Sequence, residues 1–360
     1  MELKSLKISQ FKSHQKADFQ FNKRITVVTG KNGAGKTNLL DAIHHLSLGR
    51  SAFHKQDSQS VSFGAGFYRL DAQMEDESEK RHRLELIYSA EEKKKLIWDG
   101  IPAERIGEHV GRLPLVFILP DEPFLMNESS EWRRSFFDNT LCQAFPEYLH
   151  HLSRYKKLLA RRNALLKYFS EKQRFDAVLL DTMDQEMAAE AGPVWAIRHR
   201  EIPAFMQLLE LQYASLSDGA ERAGLMHEYQ SDPAGLDLQL ARNRMQDMEA
   251  QRTLAGPHRD DFAFLLDNRS LKKTGSQGQQ KSYLLSLKLA QYQFLKEKNG
   301  RLPWLLMDDI FDKLDDMRIV RLMKMVALPD TGQVFLTDAR FERTHQIMKS
   351  NRIDFQEILL

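Results

Sequence analysis

Cysteine is nearly absent from this 360-residue chain: Cys142 stands alone, which excludes an intramolecular disulfide and any thiolate metal cluster and fits a reducing compartment. It lies in helical phase with Phe145 and Leu149, so a core position is the plainer reading and a nucleophile the rarer one. Long apolar runs are missing too. The longest, residues 113–119, is interrupted by Pro114 and falls far short of the roughly 20 residues a membrane span needs. Residues 1–12 mix charge into every few positions and lack an apolar block and a small-residue cleavage site; no signal peptide is expected there, and the expected location is the cytoplasm. Neither sign of charge is in excess: 52 Lys and Arg against 50 Asp and Glu leave +2, so any nucleic-acid surface must arise from local clustering. No internal repeat and no low-complexity linker is present. With 42% hydrophobic and 28% charged residues, the chain can bury a real core in one large domain or two moderate ones.

Patterning predicts strands at the start. Leu6 and Ile8 alternate with polar neighbours, and residues 25–29 form a β-branched run that ends at Gly30. Leu39, Leu40, Ile43 and Leu46 recur at helical spacing over residues 38–48, with Gly49 as a stop. Residues 60–120 read as β-rich, with apolar stretches at 68–70, 84–88 and 115–119. From about Glu128, apolar residues at 142, 145, 149, 152, 159 and 166 predict a helix pair lasting to about Tyr168. Further helices are expected at about 184–215 and 236–252, with Pro193 and Pro203 limiting unbroken helix, as a compact insertion rather than a long coiled coil. Beyond Gly256 come a strand at 262–266, a helix at 279–298 stopped by Gly300, and strands at 304–307 and 334–337. The expected organisation is α/β: residues 1–120 and 241–360 as two halves of one sheet-containing domain, and a helical domain at 121–240 inserted between them.

Chemistry begins where the second strand stops. Gly30, Lys31, Asn32, Gly33, Ala34, Gly35, Lys36 and Thr37 match Gly-x-x-x-x-Gly-Lys-[Ser/Thr] in full, between a predicted strand and a predicted helix. Such a loop wraps backbone N–H groups and a helix N-terminus around phosphates; Lys36 would neutralise the β and γ oxygens of ATP, and Thr37 would offer its hydroxyl to Mg²⁺. The bland alternative is a glycine-rich turn. A metal-holding carboxylate is expected at the end of a neighbouring strand, and Asp308 and Asp309 follow the apolar residues 304–307: Asp308 to orient Mg²⁺, Asp309 as a general base toward water. Adjacent carboxylates also cap ordinary helices. Ser276, Gly278 and Gln279 open the helix that ends near Lys298, either as a second anion site or as a plain helix cap. A second site in a chain with one phosphate loop suggests ATP clamped between two subunits. Arg154, Lys157, Arg161 and Arg162, with Lys156, Lys167, Lys172 and Arg174, form a basic run that either tracks DNA phosphates or is a solvated face.

Phosphate loop, serine-glycine motif and paired carboxylates, in this order and with a large insertion, resemble the ATP-binding-cassette heads of SMC-like DNA repair proteins. Within these the chain resembles the RecF family, through residues 33–51, Arg133-Arg134-Ser135-Phe136-Phe137-Asp138, residues 155–167, Gly256-Pro257-His258-Arg259-Asp260-Asp261, Gly278-Gln279-Gln280-Lys281 and residues 308–315. The resemblance implies an ATPase head built from both termini with an inserted helical lever domain, and an ATP-dependent homodimer with residues 312–315 passing between subunits. It also implies binding to double-stranded and gapped DNA, and work with RecR and RecO in loading recombinase. The sequence departs from the pattern at three places: Gly275 stands where leucine is usual, Asp121 and Glu122 where a glutamine is typical, and no histidine follows 334–337 at the place where transporters have one. Thr337 or Asp338 would then sense the γ-phosphate, and slow hydrolysis that times a switch is expected. The rival class is a P-loop enzyme: a kinase, which needs an acceptor pocket, or an ATP-dependent nuclease, which needs a further acidic cluster, for which Asp260 and Asp261 are the only conspicuous pair. A transporter ATPase is disfavoured by the long, helical gap between Thr37 and Ser276.

Overall fold

A computed structural model describes residues 1–119, 129–172, 175–217, 219, 221–312 and 316–360. The chain forms two compact units, one of Met1–Glu122 with Lys288–Leu360 and one of Pro123–Leu287. The second division thus falls later than the sequence pattern suggested: residues 241–287 belong to the unit that holds the helices. The reason is a separate antiparallel sheet, in which Asp261–Leu266 pairs with Ala223–Glu228 on one side and Arg269–Ser270 on the other.

In the first unit a five-stranded, wholly parallel sheet runs in the order Gln356–Leu359, Ile25–Thr29, Val334–Asp338, Trp304–Met307, Leu115–Ile118. Its three central strands are buried at every position, as a sheet covered on both faces requires, which is why their sequences are continuous apolar runs rather than alternating ones. An antiparallel sheet of Glu2–Phe11, His14–Gln20, Phe67–Glu75, Arg81–Ser89, Lys93–Trp98 and Ile101–Pro102 alternates instead. The helix Lys36–Leu48 joins them: Leu39, Leu40, Ile43 and Leu46 are buried in one core with Leu3 and Leu6 of the antiparallel sheet and Leu306 and Phe335 of the parallel one. Gly49 ends that helix in the left-handed conformation, φ 68°.

The second unit contains helices Ser130–Ala144, Pro146–Lys172 and Ala177–Ser217. The last is one helix of 41 residues with Pro193 and Pro203 inside it, so the expectation that these prolines limit unbroken helix is corrected. Each proline removes a backbone bond. Burial of Val194, Trp195, Ile197, Arg198, Ile202 and Phe205 on either side holds the helix against that loss. Residues 236–252 divide into two short helices, Leu236–Arg242 and Arg244–Glu249. Cys142 is a buried core residue. Among the described residues no helix is long and apolar enough to cross a membrane.

Candidate nucleotide site

The parallel sheet brings the motif residues together. The strand Ile25–Thr29 feeds the glycine loop, Trp304–Met307 ends at Asp308, and Val334–Asp338 lies between them, with Leu336 opposite both Met307 and Val27 and Thr337 opposite Val28. Elements more than 270 residues apart in sequence therefore end side by side at the carboxyl edge of the sheet, where open α/β sheets bind ligands.

At that edge Thr37 donates its hydroxyl to the Asp308 carboxylate, 2.9 Å to Oδ2 and 3.1 Å to Oδ1. Thr337 donates to Asp308 Oδ1 at 2.6 Å and accepts from the backbone N–H of Asp309 at 3.0 Å. Asp308 and Thr337 are both buried. The Thr337 hydroxyl thus holds the Asp308 carboxylate and the Asp309 backbone, a role the sequence did not disclose. Asp338, the other expected γ-phosphate sensor, is also buried and accepts from Thr344 Oγ1 and Arg340 N, tying it to the helix Phe341–Ser350. Asp309 adopts φ 42°, a left-handed conformation that costs about 1 kcal/mol or more for a non-glycine residue and that the Thr337 bond helps to hold.

Lys36 is buried and donates to the carbonyls of Gly30 at 2.8 Å and Lys31 at 3.2 Å, while Ala34 N–H bonds to Lys31 O, so the loop closes over its own lysine. Lys31, Asn32 and Gly33 are exposed at its rim. Gly35 caps the helix with φ 101° and no side-chain cap bond. A Cβ there would meet Ser13 Oγ and His14 Cε1 at 2.8 Å, so glycine is required by both conformation and space. The turn that opens the strand His14–Gln20, which sequence reading passed over, braces the loop: His14 Nε2 donates to Gly35 O at 3.0 Å, and Asn38 donates to Ser13 Oγ at 2.7 Å. Burial lowers the His14 pKa against the pull of the Gly35 carbonyl. Lys12 forms a buried ion pair with Asp41 at 2.7 Å; burial alone would raise the Asp41 carboxyl, and Lys12 with the neighbouring His44 outweighs it, holding it low.

The serine-glycine motif lies in the second unit and is a reciprocal helix cap. Ser276 N–H donates to Gln279 Oε1 at 2.6 Å, and Gln279 N–H donates to Ser276 Oγ at 3.2 Å. Gly278 occupies the first turn of the helix Gln277–Asn299. At Gly275 a Cβ would meet Leu271 Cδ1 at 2.6 Å and Leu271 O at 2.7 Å, which accounts locally for glycine where leucine is usual.

The basic run is not one surface. Arg162 is fully buried, bonded to Asp184 at 2.7 Å, to Asp247 at 2.6 Å and to Thr253 at 3.0 Å, so its reading as a DNA contact is corrected: it is an internal tie between helices. Helical periodicity is the cause, since every third or fourth residue of Pro146–Lys172 must face inward. Lys157 and Arg161 are exposed, and Arg154 is exposed and paired with Glu190 at 2.7 Å. Asp260 accepts from Trp195, Arg198 and His227, and Asp261 pairs with Arg133 through two bonds of 2.8 Å, so this acidic pair is occupied by the protein itself and is not built for metals. Asp121, Glu122, Arg174 and residues 313–315 lie outside the described residues.

A glycine loop, its lysine and threonine, and a carboxylate at the end of the next strand but one in the parallel sheet, set in this pair of sheets, define a P-loop ATPase head of the ATP-binding-cassette type. The family described as RecF/RecN/SMC N terminal domain matches residues 2–358. The chain is 37% identical over 350 residues to the DNA replication and repair protein RecF of Flavobacterium johnsoniae, covering 97% of each chain. It is 35% identical over 360 residues to that of Cytophaga hutchinsonii, covering 100% of this chain and 95% of the relative. A solved structure of the recombination mediator protein RecF with ATP, in the RecFOR pathway, superposes with a TM-score of 0.87 at 25% identity, covering 94% and 92%. An SMC head bound to the C-terminal winged-helix domain of ScpA gives 0.55 at 16% identity, a likeness of fold. The chain belongs to the RecF family of DNA replication and repair proteins.

Proposed function

We propose that this chain is an ATP-gated homodimeric switch that recognises gapped or junction DNA and, with RecR and RecO, helps load recombinase. The observation that carries the reading is the Thr37, Asp308 and Thr337 cluster beside the glycine loop. A hydroxyl and a carboxylate in contact are hard oxygen donors, a set that fits Mg²⁺. Thr37 and Asp308 would hold the ion, which when bound neutralises charge on the β and γ phosphates. Lys36 would turn from its loop carbonyls to the phosphate oxygens. Asp309, the next carboxylate along the chain, would take the proton of the attacking water. Ser276, Gly278 and Gln279 of a second copy would complete the site, so that closure, and not a released product, is the output. Double-stranded DNA would be followed electrostatically by Arg154, Lys157 and Arg161.

The test is sedimentation of the protein with and without ATP and gapped DNA, for wild type, Lys36→Ala and Asp309→Asn. Wild type is expected to dimerise with ATP, Lys36→Ala to remain monomeric, and Asp309→Asn to persist as a dimer. A wild type that stays monomeric under every condition removes the composite-site reading.

A further inference from the structure

The helix Gln277–Asn299 is anchored to the strand region before it at two points one turn apart. Tyr283 donates to Gly224 O at 2.5 Å, and the Gln279 side-chain amide donates to Glu221 Oε1. The second carboxylate oxygen of Glu221 accepts from Tyr213 Oη at 2.7 Å, and Tyr213 is buried in the helix Ala177–Ser217. At its other end the same Gln279 amide presents its oxygen to Ser276 N–H. A line of bonds therefore runs from the long helix through Tyr213, Glu221 and Gln279 to Ser276. The residue next to Glu221 is locked as well: Arg222 N–H donates to Asp267 Oδ1 and Asp267 N–H to Arg222 O, both at 2.9 Å, with Asp267 and Asn268 in a left-handed turn.

The chemistry of this line has one consistent polarity. A primary amide can rotate to exchange its oxygen and nitrogen, but a carboxylate only accepts and a backbone N–H only donates. With Glu221 at one end and Ser276 N–H at the other, a single orientation of Gln279 satisfies both. In that orientation the Ser276 hydroxyl accepts from Gln279 N–H, which leaves its own hydrogen to donate outward. We propose that Glu221 is the positioning residue of the serine-glycine motif: it fixes the orientation of Gln279, holds Ser276 set to receive a phosphate carried by a second copy, and links that setting to the long helix through Tyr213. The proposal rests on the composite-site reading.

The experiment compares ATP-dependent dimerisation, by sedimentation of the full chain, with ATP affinity at concentrations where the protein is monomeric. Glu221→Leu keeps the bulk but removes the acceptor that faces Gln279, so dimerisation is expected to weaken about tenfold, the scale of one charge-assisted hydrogen bond, with monomer ATP affinity unchanged. Glu221→Gln, whose amide oxygen can still accept from Gln279 while its nitrogen turns toward the Tyr213 hydroxyl, is expected to keep most of the wild-type dimerisation; unchanged monomer ATP affinity and melting of Glu221→Leu separate positioning from misfolding. If wild type dimerises and Glu221→Leu does so equally, or if Glu221→Gln is as impaired as Glu221→Leu, the positioning role is overturned while the composite site stands. If wild type does not dimerise, the composite-site reading falls and this proposal with it.

Discussion

Thr337→Val is the perturbation that most directly probes the nucleotide site. It removes a hydroxyl that donates to Asp308 at 2.6 Å and accepts from Asp309 N–H at 3.0 Å, in a strand held by its pairing on either side. A bond to a carboxylate contributes about 1.5–3 kcal/mol, and a buried N–H left without its acceptor costs about 1 kcal/mol or more. The sum, roughly 3 kcal/mol, falls partly on stability and partly on the aim of Asp308. Because Thr37 still reaches Asp308, the carboxylate is loosened and not lost. ATP affinity measured calorimetrically with Mg²⁺ and with EDTA separates the effects: the Mg²⁺-dependent gain should fall by about 10- to 100-fold, a loss of roughly 1.4–2.8 kcal/mol. Affinity in EDTA, which on the proposed reading rests on Lys36 and the loop amides, should hold. Thr337→Ser, which keeps the hydroxyl, should behave as wild type. Equal Mg²⁺ dependence in wild type and Thr337→Val would refute the reasoning, as would a serine variant as impaired as the valine one.

Arg162→Met should destabilise the helical unit by about 3–5 kcal/mol in denaturant unfolding, because it strands the buried Asp247 without its cation and leaves Asp184 with Arg244 alone. Arg161→Ala, one residue away and exposed, should leave stability within about 0.5 kcal/mol. If it contacts DNA, it should reduce the salt-dependence slope of binding by about 1. Gly35→Ala should abolish ATP binding in an equilibrium assay while the melting of the second unit is unmoved, since its Cβ would collide with the Ser13 and His14 turn. Burial holds His44, His109 and His258 at a pKa of about 4, below the unfolded value, so the unfolded chain takes up protons first as pH falls. Stability is therefore full above about pH 6.5 and declines toward pH 4, by about 1.4 kcal/mol per histidine at pH 5.5; urea midpoints that do not fall between pH 7.5 and 5.5 would contradict this.

The glycine loop, its flanking strand and helix, and the Asp308-Asp309 pair were legible in the sequence because each is a local pattern: a β-branched run, a glycine spacing, an apolar strand ending in acid. Burial of Arg162 was half legible, since helical phase places it with Leu158 and Leu166 on the inward face, but a density of cations hid it. The Asp184 and Asp247 that neutralise it lie 22 and 85 residues away, and nothing in their own neighbourhoods marks them. The continuity of Ala177–Ser217 through two prolines was not legible, because a local rule about backbone bonds was overridden by packing.

By itself, then, the sequence determined which segments could carry phosphate chemistry, because a glycine loop's conformation and a strand's apolar run are set by near neighbours. Which side chains act on which was decided by tertiary structure alone. Parallel pairing brings Thr37 and Thr337, about 300 residues apart in the chain, onto the one carboxylate of Asp308, and a three-stranded sheet brings Glu221 to Gln279. Such partnerships depend on register and burial, quantities that exist only once distant segments have packed.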